Sequence, residues 1–154
     1  MPVVVAVLRE SAEGERRVAL TPEVAKKLKA RGAQIVMEKG AGASAYFADA
    51  AFADAEVVAD GPTALSRADV LLRVQPPTVA EIGHLKEGTV VIAHLAPHLD
   101  PERVKALRDR KITSFAMELL PRTTRAQAMD VLSSQAGVTG YKAVLIAANA
   151  APKF

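Results

Sequence analysis

The sequence contains no cysteine and no tryptophan, and aromatic residues make up only 4% of it. Without cysteine, neither a disulfide framework nor a thiolate metal site can form, and the composition suits a reducing compartment. No apolar run reaches the roughly 18 residues needed to cross a bilayer, and no secretory leader pattern opens the chain. We therefore expect no direct insertion of this chain into a membrane.

Neither positive nor negative charges are clustered along the chain. Twenty lysines and arginines stand against 17 acidic residues, and the two signs are interleaved in stretches such as GERR and KALRDRK. Nucleic-acid binding needs a one-sided basic face and aromatic stacking platforms, and both are missing. His84, His94 and His98 lack metal-ligand spacing, since Pro97 interrupts any helical pairing of the last two. We predict no nucleic-acid partner and no metal site.

Short apolar, β-rich runs alternate with segments of helical period. The runs are residues 3–8, 34–38, 56–58, 70–74, 90–95 and 112–117. Runs that are apolar on both faces form strands covered by helices on each side, and the helical connections leave neighbouring strands parallel. The alternation predicts an α/β fold, a doubly wound and mainly parallel sheet of the Rossmann-like or flavodoxin-like kind.

Helix start signals follow several of these runs. Thr21-Pro22-Glu23 and Asp100-Pro101-Glu102 each offer an N-cap, a proline at the first helical position and an early acid. Thr78, after Pro76-Pro77, can cap a further short helix. These signals place helices between the strands, as the doubly wound fold requires.

Small and apolar residues from Gln127 onward predict one long C-terminal helix, or two joined near Gly137-Gly140. We assign an α/β N-terminal subdomain to residues 1–125 and this helix to residues 126–154. Because the helix leaves a finished sheet, we expect it to lead to further structure. The chain is then the front part of a larger protein.

The segment Gly40-Ala41-Gly42-Ala43-Ser44-Ala45 matches the dinucleotide pattern G-x-G-x-x-G/A, and Asp60 follows at the spacing of a ribose-binding acid. A dinucleotide loop has to open directly into a full helix whose N-terminus faces the pyrophosphate. The residues after Ala45 leave room only for a short helix before Glu56. We favour a plain glycine turn with a positive φ angle, with dinucleotide binding as the alternative.

Two adjacent arginines, Arg16 and Arg17, follow the stretch Glu13-Gly14-Glu15. A guanidinium group presents a fork of donors that matches a carboxylate or a phosphate, so the pair could bind an anionic ligand. A solvated charged loop explains the same residues equally well. The sequence leaves both interpretations open.

The stretch PRTTRAQAMDVLSSQAGVTGY gathers more polar side chains at a strand-to-helix junction than a helix start needs. One interpretation is structural, because Thr124 and Gln127 have the spacing of a capping box and Asp130 favours the positive end of the helix dipole. Another is a binding site, because Gln127, Asp130 and Ser133 share one helix face at i, i+3 and i+6. Arg122 precedes them in the loop, and the combined set suits a neutral amide and sugar hydroxyls.

Four motifs resemble those of a known family. They are ERRVALTPE (15–23), EKGAGASA (38–45), LLRVQPP (71–77) and PRTTRAQAMDVLSSQAGVTGY (121–141). Over its whole length the chain resembles the N-terminal part of the alanine dehydrogenase and nicotinamide nucleotide transhydrogenase superfamily, and the last motif resembles the mobile loop of the transhydrogenase branch. The resemblance implies a binding site for the nicotinamide end of NAD(H), made of Arg122, Gln127, Asp130 and Ser133. It also implies that Gln127 and Asp130 position the ring for catalysis.

For the transhydrogenase branch, the resemblance implies hydride transfer between NAD(H) and NADP(H), coupled to proton translocation. This chain is then the first subdomain of the NAD(H)-binding alpha component, inactive as a fragment and followed by an NAD-binding Rossmann domain. The implied partners are a domain that carries NADP(H), a membrane domain, and a second copy in a homodimer of the parent enzyme. The implied location is cytoplasmic, peripheral to the inner membrane through partner subunits.

Two alternatives remain. In the alanine dehydrogenase branch, the resemblance implies that the equivalent of Arg17 binds a substrate carboxylate with help from a lysine and a histidine. This sequence has Gln75 and Ala96 at those places, so amino-acid deamination lacks its acid–base group and its carbonyl-polarising cation. Direct hydride transfer between two nicotinamide rings needs neither group. The other alternative is a non-catalytic α/β binding module.

Overall fold

A computed structural model describes residues 1–152 of the chain. These residues divide into two compact units, one of Met1–Ala116 and one from Met117 onward. The boundary predicted from the sequence lies between residues 125 and 126. That the later part connects to a further domain stays a prediction. The last two residues of the predicted range 126–154 lie outside the described residues.

Within residues 1–116, all of which are described, six parallel strands form one sheet. They are β1 (Val4–Val7), β2 (Gln34–Glu38), β3 (Ala55–Val58), β4 (Val70–Leu72), β5 (Val90–Ala93) and β6 (Thr113–Ala116). Their order across the sheet is β3-β2-β1-β4-β5-β6, and each neighbouring pair is parallel. Every predicted apolar run therefore contains a strand, and the direction of strand addition reverses between β1 and β4.

The same residues contain four α-helices: α1 (Pro22–Ala30), α2 (Gly61–Arg67), α3 (Val79–His84) and α4 (Pro101–Asp109). The predicted N-caps Thr21, Thr78 and Asp100 are confirmed, since each side chain accepts a hydrogen bond from a backbone N–H of the first turn. Thr78 forms a full capping box with Glu81. The helix α2 had no specific prediction from the sequence.

Helices cover both faces of the sheet. On one face, Leu65 of α2, Ile82 of α3 and Leu107 of α4 belong to a single buried cluster with residues of the central strands. On the other face, Ala25 of α1 and Phe52 belong to a second cluster. Alternate residues of β1, β2 and β4 belong to one cluster or the other, as the pleat requires. The predicted doubly wound α/β class is confirmed.

The glycine-rich segment is a turn. Gly40 has φ of +75°, and between Gly42 and β3 the chain forms only short 3₁₀ turns, Ala43–Ala45 and Asp49–Ala51. Asp60 is the N-cap of α2, where its carboxylate accepts a hydrogen bond from the Thr63 backbone N–H at 2.8 Å. The glycine-turn interpretation is confirmed, because the segment lacks the full helix that pyrophosphate binding needs.

The second unit contains 3₁₀ turns at Met117–Leu119 and Gln127–Met129, followed by a helix, α5 (Val131–Ala150). This helix runs unbroken through both of its glycines, so the alternative of two joined helices is wrong. Over its fully described length no residue is buried. Its exposed large apolar residues are Leu132, Val138, Tyr141, Val144, Leu145 and Ile146. No helix within residues 1–152 combines the length and apolarity needed to cross a membrane.

Replacing Gly42 with alanine should destabilise the first unit. An added Cβ would lie 2.7 Å from the backbone oxygen of Phe47 and 2.8 Å from the ring of Phe52. Phe52 is only 2% exposed and packs edge-on against the Phe47 ring, so neither neighbour can move away freely. We expect a loss of about 1–3 kcal/mol in the free energy of unfolding, measured by chemical denaturation.

The matched control for this substitution is Gly83→Ala in α3. A Cβ at Gly83 meets no atom within 4 Å, and alanine is favoured over glycine inside a helix. We expect Gly83→Ala to be neutral or slightly stabilising. A Gly42→Ala variant as stable as the Gly83→Ala variant would contradict the packing argument.

Candidate functional site

The polar residues predicted to form a site gather around the start of α5. Asp130 is the N-cap of this helix, and its Oδ1 accepts a hydrogen bond from the Leu132 backbone N–H at 2.9 Å. Its Oδ2 accepts a hydrogen bond from the Ser133 hydroxyl at 2.6 Å. The first turn of α5 therefore brings Asp130 and Ser133 together and fixes the orientation of the carboxylate.

Several groups keep Asp130 ionised. The Ser133 hydroxyl is the largest cause that lowers the pKa of Asp130, while desolvation opposes it. The backbone N–H groups of Leu132 and Ser133 and the positive charge of Arg122 lower this pKa further. Arg122 is exposed, and among the described residues no hydrogen bond or ion pair fixes its guanidinium. The site thus presents an oriented anion beside a cation that is free to bind a ligand.

Gln127 lies elsewhere than predicted. It opens the 3₁₀ turn Gln127–Met129 ahead of α5, so it does not share a helix face with Asp130 and Ser133. The predicted capping box of Thr124 and Gln127 is also wrong, because the 3₁₀ turn has no side-chain cap and Asp130 caps α5. The physical reason is the extended backbone of Asp130, with ψ of +105°, which separates the turn from the helix.

The side chain of Gln127 is available to a ligand. It is exposed, and within residues 1–152 its amide has no hydrogen-bond partner. Its backbone is held, because the Gln127 N–H donates to the Thr123 carbonyl at 3.0 Å and the adjacent Ala126 is buried. An anchored backbone with an unengaged amide is a suitable arrangement for recognising a polar group.

A second polar cluster lies in the first unit, beyond the carboxyl ends of β1 and β4. Arg73 follows β4 directly, is buried, and contacts the carboxylates of Glu10 at 3.4 Å and Glu81 at 2.8 Å. Glu10 also accepts hydrogen bonds from the backbone N–H groups of Val74 at 2.7 Å and Gln75 at 3.1 Å. Within the described chain, Arg73 Nε is a buried side-chain nitrogen without a partner. Glu10 and Arg73 were not predicted as site residues, although a charged residue inside the apolar run VLLRV was an available signal.

The carboxylate of Glu15 is the most heavily hydrogen-bonded group of this region. It accepts hydrogen bonds from Arg17 Nε at 2.7 Å, from Arg17 Nη2 at 2.6 Å and from Gln75 Nε2 at 2.7 Å. The backbone N–H groups of Arg16 and Arg17 donate at 3.1 and 3.0 Å. Only 6% of the Glu15 side chain is exposed, against 45% of the Arg17 side chain. The anion on the guanidinium fork of Arg17 is therefore the chain's own Glu15.

These donors stabilise the ionised form of Glu15. The hydrogen bond from the Arg17 side chain is the largest cause that lowers the pKa of Glu15 to about 2, with burial opposing it and Gln75 adding to it. The pKa of Arg17 is raised by the same pairing. Arg16 is engaged separately, since its Nη2 donates to the Tyr46 hydroxyl and its guanidinium lies 5.3 Å from the centroid of that ring.

Histidine and carboxylate side chains do not converge as metal ligands. Among residues 1–152, no group of three His, Cys, Asp or Glu side chains is placed to hold a metal ion.

Comparison with known proteins shows which family this chain resembles. Residues 6–139 match the family described as alanine dehydrogenase/PNT, N-terminal domain. The chain belongs to this family. The first part of NAD(P) transhydrogenase subunit alpha from Rhodospirillum rubrum is 45% identical over 148 residues, which cover 92% of this chain and 38% of that protein. Alanine dehydrogenase of Bacillus subtilis is 30% identical over 149 residues, which cover 96% of this chain and 38% of that enzyme.

Solved structures show the same relation. A transhydrogenase structure from Sinorhizobium meliloti has a TM-score of 0.90 at 42% identity, over 97% of this chain and 45% of that one. An L-alanine dehydrogenase structure has a TM-score of 0.74 at 26% identity, over 80% of this chain and 34% of that one. The chain thus spans less than half the length of these relatives. The resemblance carried by the four sequence motifs is confirmed, and the transhydrogenase relatives are the more similar ones.

The Glu15 pairing predicts a pH dependence of stability. Because the folded-state pKa of about 2 lies below the ordinary value of 4.5, this carboxylate contributes stability above about pH 4.5 and loses it as the pH falls toward 2. In the Glu15→Gln variant this dependence should be missing. We expect the difference in the free energy of unfolding between wild type and Glu15→Gln to decrease by about 1 kcal/mol from pH 6 to pH 3. The value is modest because Arg17 is partly open to solvent, which weakens the pairing.

Glu13→Gln is the control for this experiment, since Glu13 is an exposed glutamate of the same loop. This substitution also removes one negative charge, but it leaves the hydrogen bonds between Arg17 and Glu15 intact. Urea denaturation at several pH values measures all three proteins. If Glu13→Gln and Glu15→Gln changed the pH profile equally, the stabilising role of the Glu15 pairing would be refuted.

Proposed function

We propose that this chain is the first subdomain of the NAD(H)-binding alpha component of an NAD(P) transhydrogenase. This oxidoreductase transfers hydride between NAD(H) and NADP(H) and couples the transfer to proton translocation. The observation that carries the proposal is the group at the start of α5, where an oriented, ionised Asp130 lies beside Ser133 and the charge of Arg122. Its support is the 45% identity to a transhydrogenase alpha subunit over 92% of this chain.

The available groups fit the nicotinamide half of NAD(H). A carboxamide needs one acceptor for its N–H₂ and one donor for its carbonyl, and the exposed Gln127 amide provides both. The carboxylate of Asp130 can accept further hydrogen bonds from an amide or from ribose hydroxyls. When bound, NADH supplies the hydride. The protein groups orient the ring, and Arg122 adds a positive charge to the group around Asp130.

Orientation is the main catalytic task that these residues can perform. Direct transfer between two rings needs no acid–base group of the protein, but it needs the reacting carbons held in near-attack geometry. Asp130 suits this task because its two oxygens are already held by Leu132 N–H and the Ser133 hydroxyl, so its rotamer is set before a ligand arrives. Gln127 suits it because its backbone is anchored while its side chain is not.

The remaining parts of the proposed enzyme come from outside this chain. We assign the adenosine and pyrophosphate contacts to an NAD-binding Rossmann domain, NADP(H) to a partner domain, and proton translocation to a membrane domain. The Rhodospirillum rubrum relative is, by its name, one portion of a subunit and so a component of a larger assembly. The exposed apolar residues of α5 offer surface for further protein. The proposed assembly contains a homodimer and lies at the cytoplasmic side of the inner membrane.

The alanine dehydrogenase alternative has less support. Gln75, at one of the two positions that the resemblance assigns to catalytic groups, uses its amide to hold Glu15. Ala96, at the other, has no ionisable side chain. Neither position can donate or accept a proton in amino-acid deamination, and the identity to alanine dehydrogenase of Bacillus subtilis is 30%.

The decisive experiment measures hydride transfer in the complete transhydrogenase with Gln127→Asn. The substitution shortens the side chain by one methylene, so the ring should be held about 1 Å out of place. A misplacement of that size can cost on the order of 100-fold in rate. We expect the single-turnover rate of transfer from NADH to fall by this order, with little change in melting temperature because the Gln127 side chain is exposed.

Two further variants sharpen this test. Gln135→Asn makes the same chemical change at an exposed position of α5 and should leave the rate unchanged. Asp130→Asn keeps a good N-cap residue but removes the charge, and it should slow transfer without unfolding the protein. If the transfer rates of Gln127→Asn and Asp130→Asn were both unchanged, the two residues would have only a structural role.

The 154-residue chain alone should bind NADH weakly. Under the proposed function, most of the binding energy comes from the adenosine and pyrophosphate half, whose contacts lie outside this chain. Titration calorimetry should give no saturation at micromolar NADH. Tight, micromolar binding would contradict this division of the site and would revive the glycine-rich segment around Gly40 as a binding element.

A further inference from the structure

The loop before α5 contains a second arginine, Arg125, at the tip of a turn. The carbonyl of Thr123 accepts hydrogen bonds from the backbone N–H groups of Ala126 and Gln127, each at 3.0 Å, and these bonds close the turn. Ala126 is only 7% exposed and anchors the base of the turn, whereas Arg125 at its centre is exposed. The guanidinium of Arg125 is therefore presented to solvent from a backbone that is held in place.

The two arginines of this loop have different electrostatic surroundings. The charge of Arg122 lowers the pKa of Asp130, and Arg125 has no such effect. Asp130 is the only acidic residue of the sequence between positions 119 and 141. Among the residues that the structure describes, the Arg125 side chain makes no hydrogen bond and no ion pair. Its positive charge is thus available to an anion that comes from outside the chain.

The proposed reaction supplies two such anions. Transfer of a hydride needs the reacting carbons of the two nicotinamide rings about 3–3.5 Å apart. Each ring is joined through its ribose to a pyrophosphate, so the approach of the rings also concentrates negative charge. Because like charges repel, a separate cation for each nucleotide stabilises this arrangement. Arginine suits the task, since its fork of N–H donors matches the oxygens of a phosphate.

We propose that Arg125 binds the pyrophosphate of the NADP(H) that the partner domain carries, while Arg122 acts on the NAD(H) side of the same site. The inference rests on the proposed function. The two residues from Arg125 to Gln127 span at most about 7 Å, so Arg125 reaches groups close to the nicotinamide rings. The pyrophosphate is linked to the nicotinamide ribose, whereas the 2′-phosphate of NADP(H) lies at the adenosine end. Arg125 is therefore a nucleotide-positioning residue and not the residue that distinguishes NADP(H) from NAD(H).

The test measures equilibrium binding of NADP⁺ and of NADH to the complete transhydrogenase with Arg125→Gln. We expect the affinity for NADP⁺ to fall about tenfold, the order expected for one charge-assisted hydrogen bond, and the affinity for NADH to stay the same. The loss should become smaller at higher salt, because salt screens an exposed ionic contact. Arg125→Lys keeps the charge without the fork and should recover part of the affinity. Melting temperatures should not change, since the side chain is exposed.

Three comparisons make the test specific. Arg31→Gln removes the same charge from another exposed arginine and should leave the affinities for both nucleotides unchanged. Arg122→Gln should give the opposite pattern to Arg125→Gln, a loss of affinity for NADH and not for NADP⁺. Adenosine 2′,5′-bisphosphate has the 2′-phosphate but lacks the phosphate that is linked to the nicotinamide ribose. It should bind to Arg125→Gln as tightly as to wild type.

Each outcome decides the inference. An unchanged affinity for NADP⁺ in Arg125→Gln overturns it, and so does an equal loss for NADP⁺ and NADH. A matching loss for adenosine 2′,5′-bisphosphate also overturns it, because Arg125 then acts at the adenosine end. In all three cases the proposed function stands as long as wild type transfers hydride and Gln127→Asn slows the transfer. A wild-type enzyme without hydride transfer between NADH and NADP⁺ refutes the proposed function and this inference together, so the two failures are distinguishable.

Discussion

The buried carboxylate of Glu10 joins the two loops that meet where the strand order reverses. It accepts two backbone hydrogen bonds from the loop after β4 and pairs with Arg73, whose side chain is 1% exposed. Charges removed from water are tolerated only when they are paired and hydrogen-bonded, so each of these two groups needs the other. The positions of Gln75 and Glu15 follow from this pair, because Gln75 reaches Glu15 from the loop that Glu10 holds.

The fold was largely predictable because its determinants are local. Strands follow from short apolar runs, and the caps at Thr21, Thr78 and Asp100 act within three residues along the chain. The segment Asp60-Gly61-Pro62 carries the same kind of start signal, yet its acid also fits the spacing of a ribose-binding residue. One carboxylate supported two interpretations, and the helix α2 was missed because Asp60 was considered as a ribose-binding residue and not as an N-cap.

The candidate site was predictable only in part, because some of its hydrogen bonds join residues that are far apart in the sequence. Asp130 and Ser133 are three residues apart, and their pairing follows from helical geometry. The hydrogen bonds that join Glu15 to Gln75 and Glu10 to Val74 link residues 60 and 64 positions apart, and no local pattern encodes them. Gln127 was misplaced for a different reason. The spacing of Thr124 and Gln127 fits a capping box, but the N-cap of α5 is Asp130, and its extended backbone separates Gln127 from that helix.

The capping role of Asp130 is compatible with its proposed binding role because its two oxygens have separate partners. Oδ1 caps α5 through the Leu132 N–H, and Oδ2 accepts from the Ser133 hydroxyl. Each oxygen retains a lone pair, so the residue can cap the helix and still accept hydrogen bonds from a ligand. An asparagine can supply the capping oxygen, but its N–H₂ group meets the Ser133 hydroxyl as a donor, which forces that hydroxyl to rotate. The charge and the direction of the second hydrogen bond are then lost together, whereas the cap is kept. The helix alone therefore does not require a carboxylate at this position, whereas the proposed binding role does.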